Sequence, residues 1–412
     1  SYVTIPRAAN SFDNTEIAAN IDEDIIDSLT GGRLVGSVTS FENFAECPLR
    51  YYLRYGVDLK EREEFTFSPV NFGVVLHAVI REVCDEIKKN GESYYLISEE
   101  KRREMVKRSV AAITDIYQNS ILKDSSRNSF MIKRMEDLAD RTIWAMGEQL
   151  KCGDFVPFVF EHKFNMEVGD GDRKQLMSGT IDRVDICENG TDVYVRIIDY
   201  KTGKKDFNIV KTYYGIDIQL MVYMEAAMKL VAKMRPGKNV IPAGVFYYNI
   251  SDPIVSATTE SAEEIEDKIK GELRLKGMVN SDKDIAEKMD NTEGTSLNIP
   301  VSRKADGGFD SRRSKVMNTE QFNILGRFVD VRAIDTADRI VGGDIRRSPY
   351  KDGQFSSCDR CPYGAVCGFS VDLPGCNYRK LKKFDDEVLW NNIKEGVDEN
   401  GKKMDTGAEE RD

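Results

Sequence analysis

No stretch of this chain is long or apolar enough to span a bilayer, so no membrane partner is expected. Basic charge is in deficit: 59 Lys and Arg stand against 70 Asp and Glu, a net charge of -11. That excludes a globally basic nucleic-acid binder, but not a nuclease, because metal-holding acids add to the negative count and DNA needs only a local basic groove. The phosphate-loop pattern G-x-x-x-x-G-K-[ST] is absent, so the chain carries no ATPase site of its own. No internal repeat occurs. A disulfide framework does not suit a long, charge-rich chain without a signal peptide, and a cytoplasmic location follows as an expectation. What is present is 412 residues with 41% hydrophobic content, enough for a sizeable core and two or three structural units.

Residues 1–36 are acidic and polar and read as a linker. The chain begins at Ser1 rather than Met, which suits a fragment of a longer polypeptide. Residues 37–150 form a helical region, with one helix over 38–56 and a helical pattern from 69 to 150. Strands are expected near 155–168, 175–188 and 192–201, a helix over 212–234, and a buried strand over Ala243–Asn249, so that 151–254 makes an α/β core. Residues 255–317 are charged and loop-rich, with a helix at 260–276, and read as an insertion. A helix near 318–341 leads into a cysteine-rich region ending at 385, and 386–412 is a charged, partly disordered tail.

Within the core, Ile197-Ile198-Asp199-Tyr200-Lys201 ends an apolar strand with an acid and a lysine two positions apart, on one face. Seventeen residues upstream of Asp199, Gly179-Thr180-Ile181-Asp182 closes another apolar run with a second carboxylate. A hairpin between the two brings Asp182, Asp199 and Lys201 to one sheet edge, where they can hold a divalent cation beside a phosphodiester. Gly73-Val74-Val75-Leu76-His77 places His77 one turn after a glycine, whose missing Cβ allows close approach to another backbone. A neutral imidazole there suits a metal site already holding carboxylates. In Phe158-Val159-Phe160-Glu161-His162-Lys163-Phe164, strand alternation puts Phe158, Phe160, His162 and Phe164 on one face and Val159, Glu161 and Lys163 on the other. Gln219 and Tyr223 share one face of the following helix.

In chain order these features, Gly-x-x-x-His, Glu161, Gly-x-Ile-Asp, Asp-Tyr-Lys and Gln-x-x-x-Tyr, resemble the RecB-type branch of the PD-(D/E)xK nuclease superfamily, over roughly residues 37 to 380. The resemblance implies an α/β, restriction-endonuclease-like core, a central mixed sheet flanked by helices, with helical insertions and a cysteine-ligated cluster region. It also implies metal-dependent hydrolysis of DNA phosphodiesters. Asp182, Asp199, the Tyr200 carbonyl and His77 would coordinate one or two Mg²⁺ or Mn²⁺ ions. Lys201 would orient the nucleophile or stabilise the accumulating charge, Glu161 would add a carboxylate or hold water, and Gln219 and Tyr223 would position the backbone of the substrate or brace Lys201.

Three of eight cysteines fall in a C-x2-C-x5-C cluster, Cys358, Cys361 and Cys367. A fourth ligand is needed, and spacing alone favours Cys376, nine residues on, giving a zinc knuckle. In AddB-like members of the resembling family, a single Cys before the core joins a C-terminal trio around a [4Fe-4S] cluster, and Cys47 stands at that place. Four thiolates fit iron-sulfur or zinc, so the metal identity rests on the resemblance. Cys84, Cys152 and Cys187 read as small buried hydrophobes.

Together with the split cysteines, residues 46–55, Glu-Cys-Pro-Leu-Arg-Tyr-Tyr-Leu-Arg-Tyr, resemble the C-terminal nuclease domain of the AddB family of helicase-nuclease subunits. This implies double-strand-break end processing, degradation of the strand ending 5′, and an AddA-type helicase subunit as partner. Alternatives from other classes are a DNA-end binding module with a vestigial centre, or a stand-alone CRISPR-associated-type exonuclease. Candidate groove cations are Arg50, Arg54, Lys204, Lys205, Arg312, Arg313, Arg346 and Arg347.

Overall fold

A computed structural model describes residues 20–22, 34–60, 69–116, 126–169, 175–256, 260–373 and 376–409. Strand β1 (Val35–Ser37) leads into helix α1 (Val38–Glu46), which Ser37 caps by accepting the Ser40 N–H at 3.1 Å. Pro48 ends that helix. The residue before a proline is driven out of the helical region, and Cys47 is extended at φ -166°, ψ 117°. The single helix expected over 38–56 is therefore broken at Cys47, into α1, a short α2 (Pro48–Tyr51) and a π-helical turn over Tyr52–Gly56.

Helices α3 (Pro69–Lys89), α4 (Glu99–Ile116) and α5 (Ser126–Lys151) follow, then strands β2 (Val156–Val168), β3 (Gln175–Asn189) and β4 (Asp192–Lys201). β3 and β4 form the expected hairpin, its two-residue connection opened by Gly190 at φ +61°. The helix expected over 212–234 is two, α6 (Ile209–Tyr213) and α7 (Gln219–Met234), separated by a turn in which Gly215 takes φ +76°. β5 (Asn239–Asn249) then pairs parallel with β4.

The segment expected as a loop-rich insertion extends the sheet. After α8 (Ala262–Glu272), β6 (Lys276–Asn280) pairs antiparallel with β5; after α9 (Lys283–Met289), β7 (Val316–Met317) pairs parallel with β6. Charged loops around those short strands hide them from a periodicity reading. Helix α10 (Thr319–Val341) precedes a small sheet of β8 (Tyr350–Asp352), β9 (Phe355–Ser356) and β10 (Arg379–Lys380), with α11 (Gly364–Cys367) between the last two. The charged tail begins as a packed helix, α12 (Asp386–Glu409), with Leu389 and Ile393 buried in the core beside α10. Two such side chains outweigh the charge of that segment, since burying each contributes about 1.5–3 kcal/mol. Of the expected linker, residues 1–19 and 23–33 lie outside the described residues; Ile21 donates its N–H to the Gly343 carbonyl at 2.9 Å.

The central sheet has seven strands in the order β1-β3-β4-β5-β6-β7, with β2 on the other flank of β3. Alternation along β4 sorts the core into two layers. Val193, Val195 and Ile197 pack with α7 and α10, while Tyr194, Ile198 and Tyr200 pack with α3, α4 and α5. β1 covers Leu176–Ser178 of β3 and β4 covers Arg183–Asn189 on the same flank, so residues 179–182 lie in a gap between them. The expected sheet-edge site is thus an interior notch, with Asp182 in mid-strand. Among the described residues no helix is long and apolar enough to cross a membrane.

Candidate hydrolytic centre and cysteine centre

One step beyond the last ladder pair of the hairpin, Arg183 with Ile198, Asp182 and Asp199 come opposite one another at the notch. The Tyr200 N–H donates to Asp182 Oδ2 at 2.6 Å, so a carboxylate replaces a ladder carbonyl. On the other flank, pairing of Phe160 with Arg183 and His162 with Ile181 sets Glu161 against Asp182. Glu161 has φ +47°, a left-handed conformation costing a non-glycine residue about 1–2 kcal/mol.

That residue overturns the simple alternation of β2. Phe160 packs with Tyr94, centroids 6.5 Å apart, on the α3–α5 side, whereas Phe164 packs edge-on against Tyr223 at 5.6 Å on the α7 side. β3 slips at the same level, since Met177 and Ile181 share the α7 layer with Val184 and Ile186, of opposite parity. A positive φ interrupts the two-residue period, and it leaves Glu161 beside Asp182 and His77. Gly179 is required for close packing: a Cβ there would lie 2.7 Å from the Phe164 ring and 3.0 Å from that of Tyr223.

His77, on α3, packs edge-on against Tyr200 at 5.9 Å and places Nδ1 3.4 Å from Asp182 Oδ1 and 3.6 Å from Glu161 Oε1. The ligand atoms of His77, Glu161 and Asp182 all lie within 4.8 Å of one another. One imidazole and two carboxylates form a hard donor set suited to a divalent cation. Burial alone would lower the His77 pKa, but the neighbouring Asp182 and Glu161 raise it to about 10. A cation taking this place must displace that proton. The close approach expected at Gly73 is to the Thr202 side chain, and at 3.6 Å a Cβ would fit, so no backbone contact demands the glycine.

Asp199 stands outside that trio. Its Oδ2 pairs with Lys201 Nζ at 2.5 Å and its Oδ1 accepts from Gln219 Nε2 at 3.1 Å. Gln219 also accepts from Lys201 Nζ at 3.0 Å and donates to the Tyr223 hydroxyl at 2.9 Å. Burial, then the Asp182 charge, pushes Asp199 up to about 7, against the opposing pull of Lys201. Tyr200 donates its N–H to Asp182 and packs its ring against His77.

Sequence reasoning missed a buried polar group behind Lys201. Glu42 Oε1 accepts the N–H groups of Ile218 and Gln219 at 2.9 and 3.0 Å, and Asp217 Oδ1 accepts from the Tyr247 hydroxyl at 2.6 Å and pairs with Lys205 at 3.0 Å. Asp217 could have been found as an acid just before a helix start, had the helix not been expected from 212. Lys205, over the Tyr247 ring at 4.5 Å, is a fixture of this group rather than a groove cation. Arg50 pairs with Glu46, Arg346 with Asp344, and Arg347 donates to the Cys367 carbonyl at 3.2 Å; Arg54 lies over Tyr55, while Lys204, Arg312 and Arg313 are exposed.

The second centre gathers Cys47, Cys358, Cys361 and Cys367 around a cavity of about 20 Å³, lined also by Leu53, Tyr363 and Phe369. Cys376 is buried but does not line it. All eight cysteines are free. Burial pushes the Cys47, Cys358 and Cys367 thiols up; a bound metal reverses this.

A sheet whose central hairpin brings two opposed acids and an Asp-x-Lys strand end to one notch, with helices on both faces, defines a nuclease core. The sequence profile of the PD-(D/E)XK nuclease superfamily matches residues 36–368, and the chain belongs to that superfamily. It is also similar to the B subunit of the ATP-dependent helicase/deoxyribonuclease of Lachnoclostridium phytofermentans, 34% identical over 95% of this chain and 34% of the relative. The B subunits of the same name from Thermoanaerobacter sp. and Clostridium acetobutylicum are 33% and 34% identical over 90% and 92% of this chain, covering 33% and 34% of those proteins. The chain thus spans about a third of the length of the curated relatives it matches.

Proposed function

We propose that this chain is the nuclease module of an AddAB-type helicase-nuclease, hydrolysing DNA phosphodiesters, on the strand ending 5′, during the processing of double-strand breaks with an AddA-type partner. The observation that carries the reading is the convergence of His77, Glu161 and Asp182 beside the Asp199–Lys201–Gln219 array, in a chain similar over nearly its whole length to helicase/deoxyribonuclease B subunits. His77, Glu161 and Asp182 would hold Mg²⁺ or Mn²⁺, with Asp199 at the neighbouring position, and a cation there supplies Lewis-acid charge to the scissile phosphate. Lys201, its Nζ fixed by Asp199 and Gln219, offers a positive charge and a proton donor to oxygen atoms that gain negative charge in the transition state. Asp199 balances the charge of Lys201 and, with Gln219, fixes its position.

At the second centre the proposed group is a [4Fe-4S] cluster, with zinc as the alternative. Cys47, Cys358, Cys361 and Cys367 line one cavity, a donor set that would hold iron-sulfur or zinc, and the likeness to helicase/deoxyribonuclease B subunits favours the cluster. The test is cleavage of end-labelled linear DNA in Mg²⁺ and in EDTA, with Asp182→Ala as control. Cleavage that survives either EDTA or the substitution would sink the reading.

A further inference from the structure

Helix α7 begins with buried N–H groups that its own sequence leaves uncapped, because Ile218, at the cap position, has no side chain able to accept them. A carboxylate 176 residues away in the chain accepts them instead: Glu42 Oε1 receives both Ile218 and Gln219 N–H. Gln219 is the residue whose amide reaches Lys201, Asp199 and Tyr223 at once. Its backbone is therefore clamped by α1, and its side chain clamps Lys201.

Helix α1 is itself held by its buried face and its C-terminal end. Phe41 and Phe44, flanking Glu42, are fully buried, and Ala45 packs against Gly215 in the turn before α7, where a Cβ would come within 3.4 Å of the Ala45 methyl. Beside Ala45, Cys47 forms the C-cap, Arg379 donates to the carbonyls of Ala45, Glu46 and Ser348, and the Leu49 N–H reaches the Arg346 carbonyl at 3.2 Å. One nine-residue helix thus runs from the cysteine centre to the first turn of α7.

We propose that Glu42 is a positioning residue for the hydrolytic centre, holding Gln219 and through it Lys201 in register, and that α1 makes this register depend on the integrity of the cysteine centre. The proposal rests on the nuclease reading of that site. Position is what Glu42 supplies, so an acceptor of the same length substitutes for it and a shorter acid does not. A displacement of the order of 1 Å in such an array costs about 10²-fold in rate.

The experiment uses the full chain, comparing Glu42→Gln, Glu42→Asp and Glu42→Ala for kcat and KM on linear DNA, with hydrogen exchange of a peptide covering residues 216–224 as a second readout. Glu42→Gln keeps the acceptor and retains most of the wild-type kcat. Glu42→Asp keeps the charge but withdraws the carboxylate by roughly one C–C bond, about 1.5 Å. It loses about 10²-fold in kcat with little change in KM, as does Glu42→Ala, and exchange at 216–224 rises in both. Cys47→Ala produces the same rise in exchange at that distant turn. A Glu42→Asp enzyme as active as wild type, or exchange at 216–224 indifferent to both Glu42 and Cys47, would overturn the proposal. Lys201→Ala run alongside keeps the two readings apart: if it cleaves normally the nuclease assignment fails, whereas if it is dead and Glu42→Ala is not, only the positioning role fails.

Discussion

The two centres are built in opposite ways. The hydrolytic centre draws Asp182, Asp199 and Lys201 from one hairpin, where the two acids stand seventeen residues apart and the register of β3 on β4 places them. The cysteine centre draws Cys47 and Cys358 from opposite ends of the core, 311 positions apart, and nothing local dictates their meeting. Closing a long loop is entropically expensive in the unfolded chain, and a link that does so restricts that chain the most. On the proposed reading, the first centre is preorganised by a sheet that would exist without it, whereas a metal at the second would staple distant segments together. Loss of a ligand should abolish chemistry at the first with little effect on the fold, and loosen the fold at the second.

The largest expected effect tests the first half of that contrast. Lys201→Ala and Asp182→Ala should reduce cleavage by at least about 10²–10³-fold. DNA affinity, set by phosphate contacts elsewhere, should stay close to wild type, and stability should fall by no more than about 1–3 kcal/mol, the cost of the one buried partner each substitution leaves unpaired. A fold that collapses with either substitution would erase the contrast.

For the second half, Cys47→Ala should release the metal and lower stability by several kcal/mol in the loop-entropy estimate, exposing the segment after Arg346 to proteolysis. Cys376→Ala, outside the cavity, should keep the metal. The reverse pattern, measured by iron content and limited proteolysis, would make the centre a local zinc knuckle.

A smaller effect sharpens the account of the trio. His77→Ala should raise the Mg²⁺ or Mn²⁺ concentration for half-maximal cleavage by about tenfold. In the wild type that concentration should fall as pH rises toward 9, because the cation competes with a proton on an imidazole whose pKa is raised to about 10. A metal titration unchanged by the substitution would remove His77 from the site.

The smallest effect concerns the cost of keeping Asp199 buried beside Asp182. An acid whose pKa stands at about 7 in the folded chain and near 4 in the unfolded one binds more protons folded. Its contribution to stability is complete below pH 4 and is lost as pH rises through 7. In EDTA, Asp199→Asn should therefore be more stable than wild type at pH 8 and equal to it at pH 4, while failing to cleave. Equal unfolding curves at pH 8 would show that Lys201 already neutralises the cost.

These contrasts also explain what the sequence discloses. Period-two runs ending in Asp199-Tyr200-Lys201 and Gly179-Thr180-Ile181-Asp182 are enough to place the hairpin, because a sheet's register follows from its apolar faces. The same rule misplaces Phe160 and Phe164, since no residue type announces that Glu161 will adopt a positive φ. Short strands such as β6 and β7 disappear among charged loops, and Glu42 shows no local sign of capping a helix begun 176 residues later. For the cysteines, spacing favours Cys376 and only likeness to a family favours Cys47, which is the one that lines the cavity.

The most direct test of the paired-centre account is anomalous diffraction from crystals of anaerobically purified protein soaked in Mn²⁺, recorded at the iron and manganese edges. The account predicts an iron peak enclosed by Cys47, Cys358, Cys361 and Cys367, and a manganese peak contacting His77, Glu161 and Asp182. Zinc in place of iron, or manganese bound away from His77 and Glu161, would contradict it.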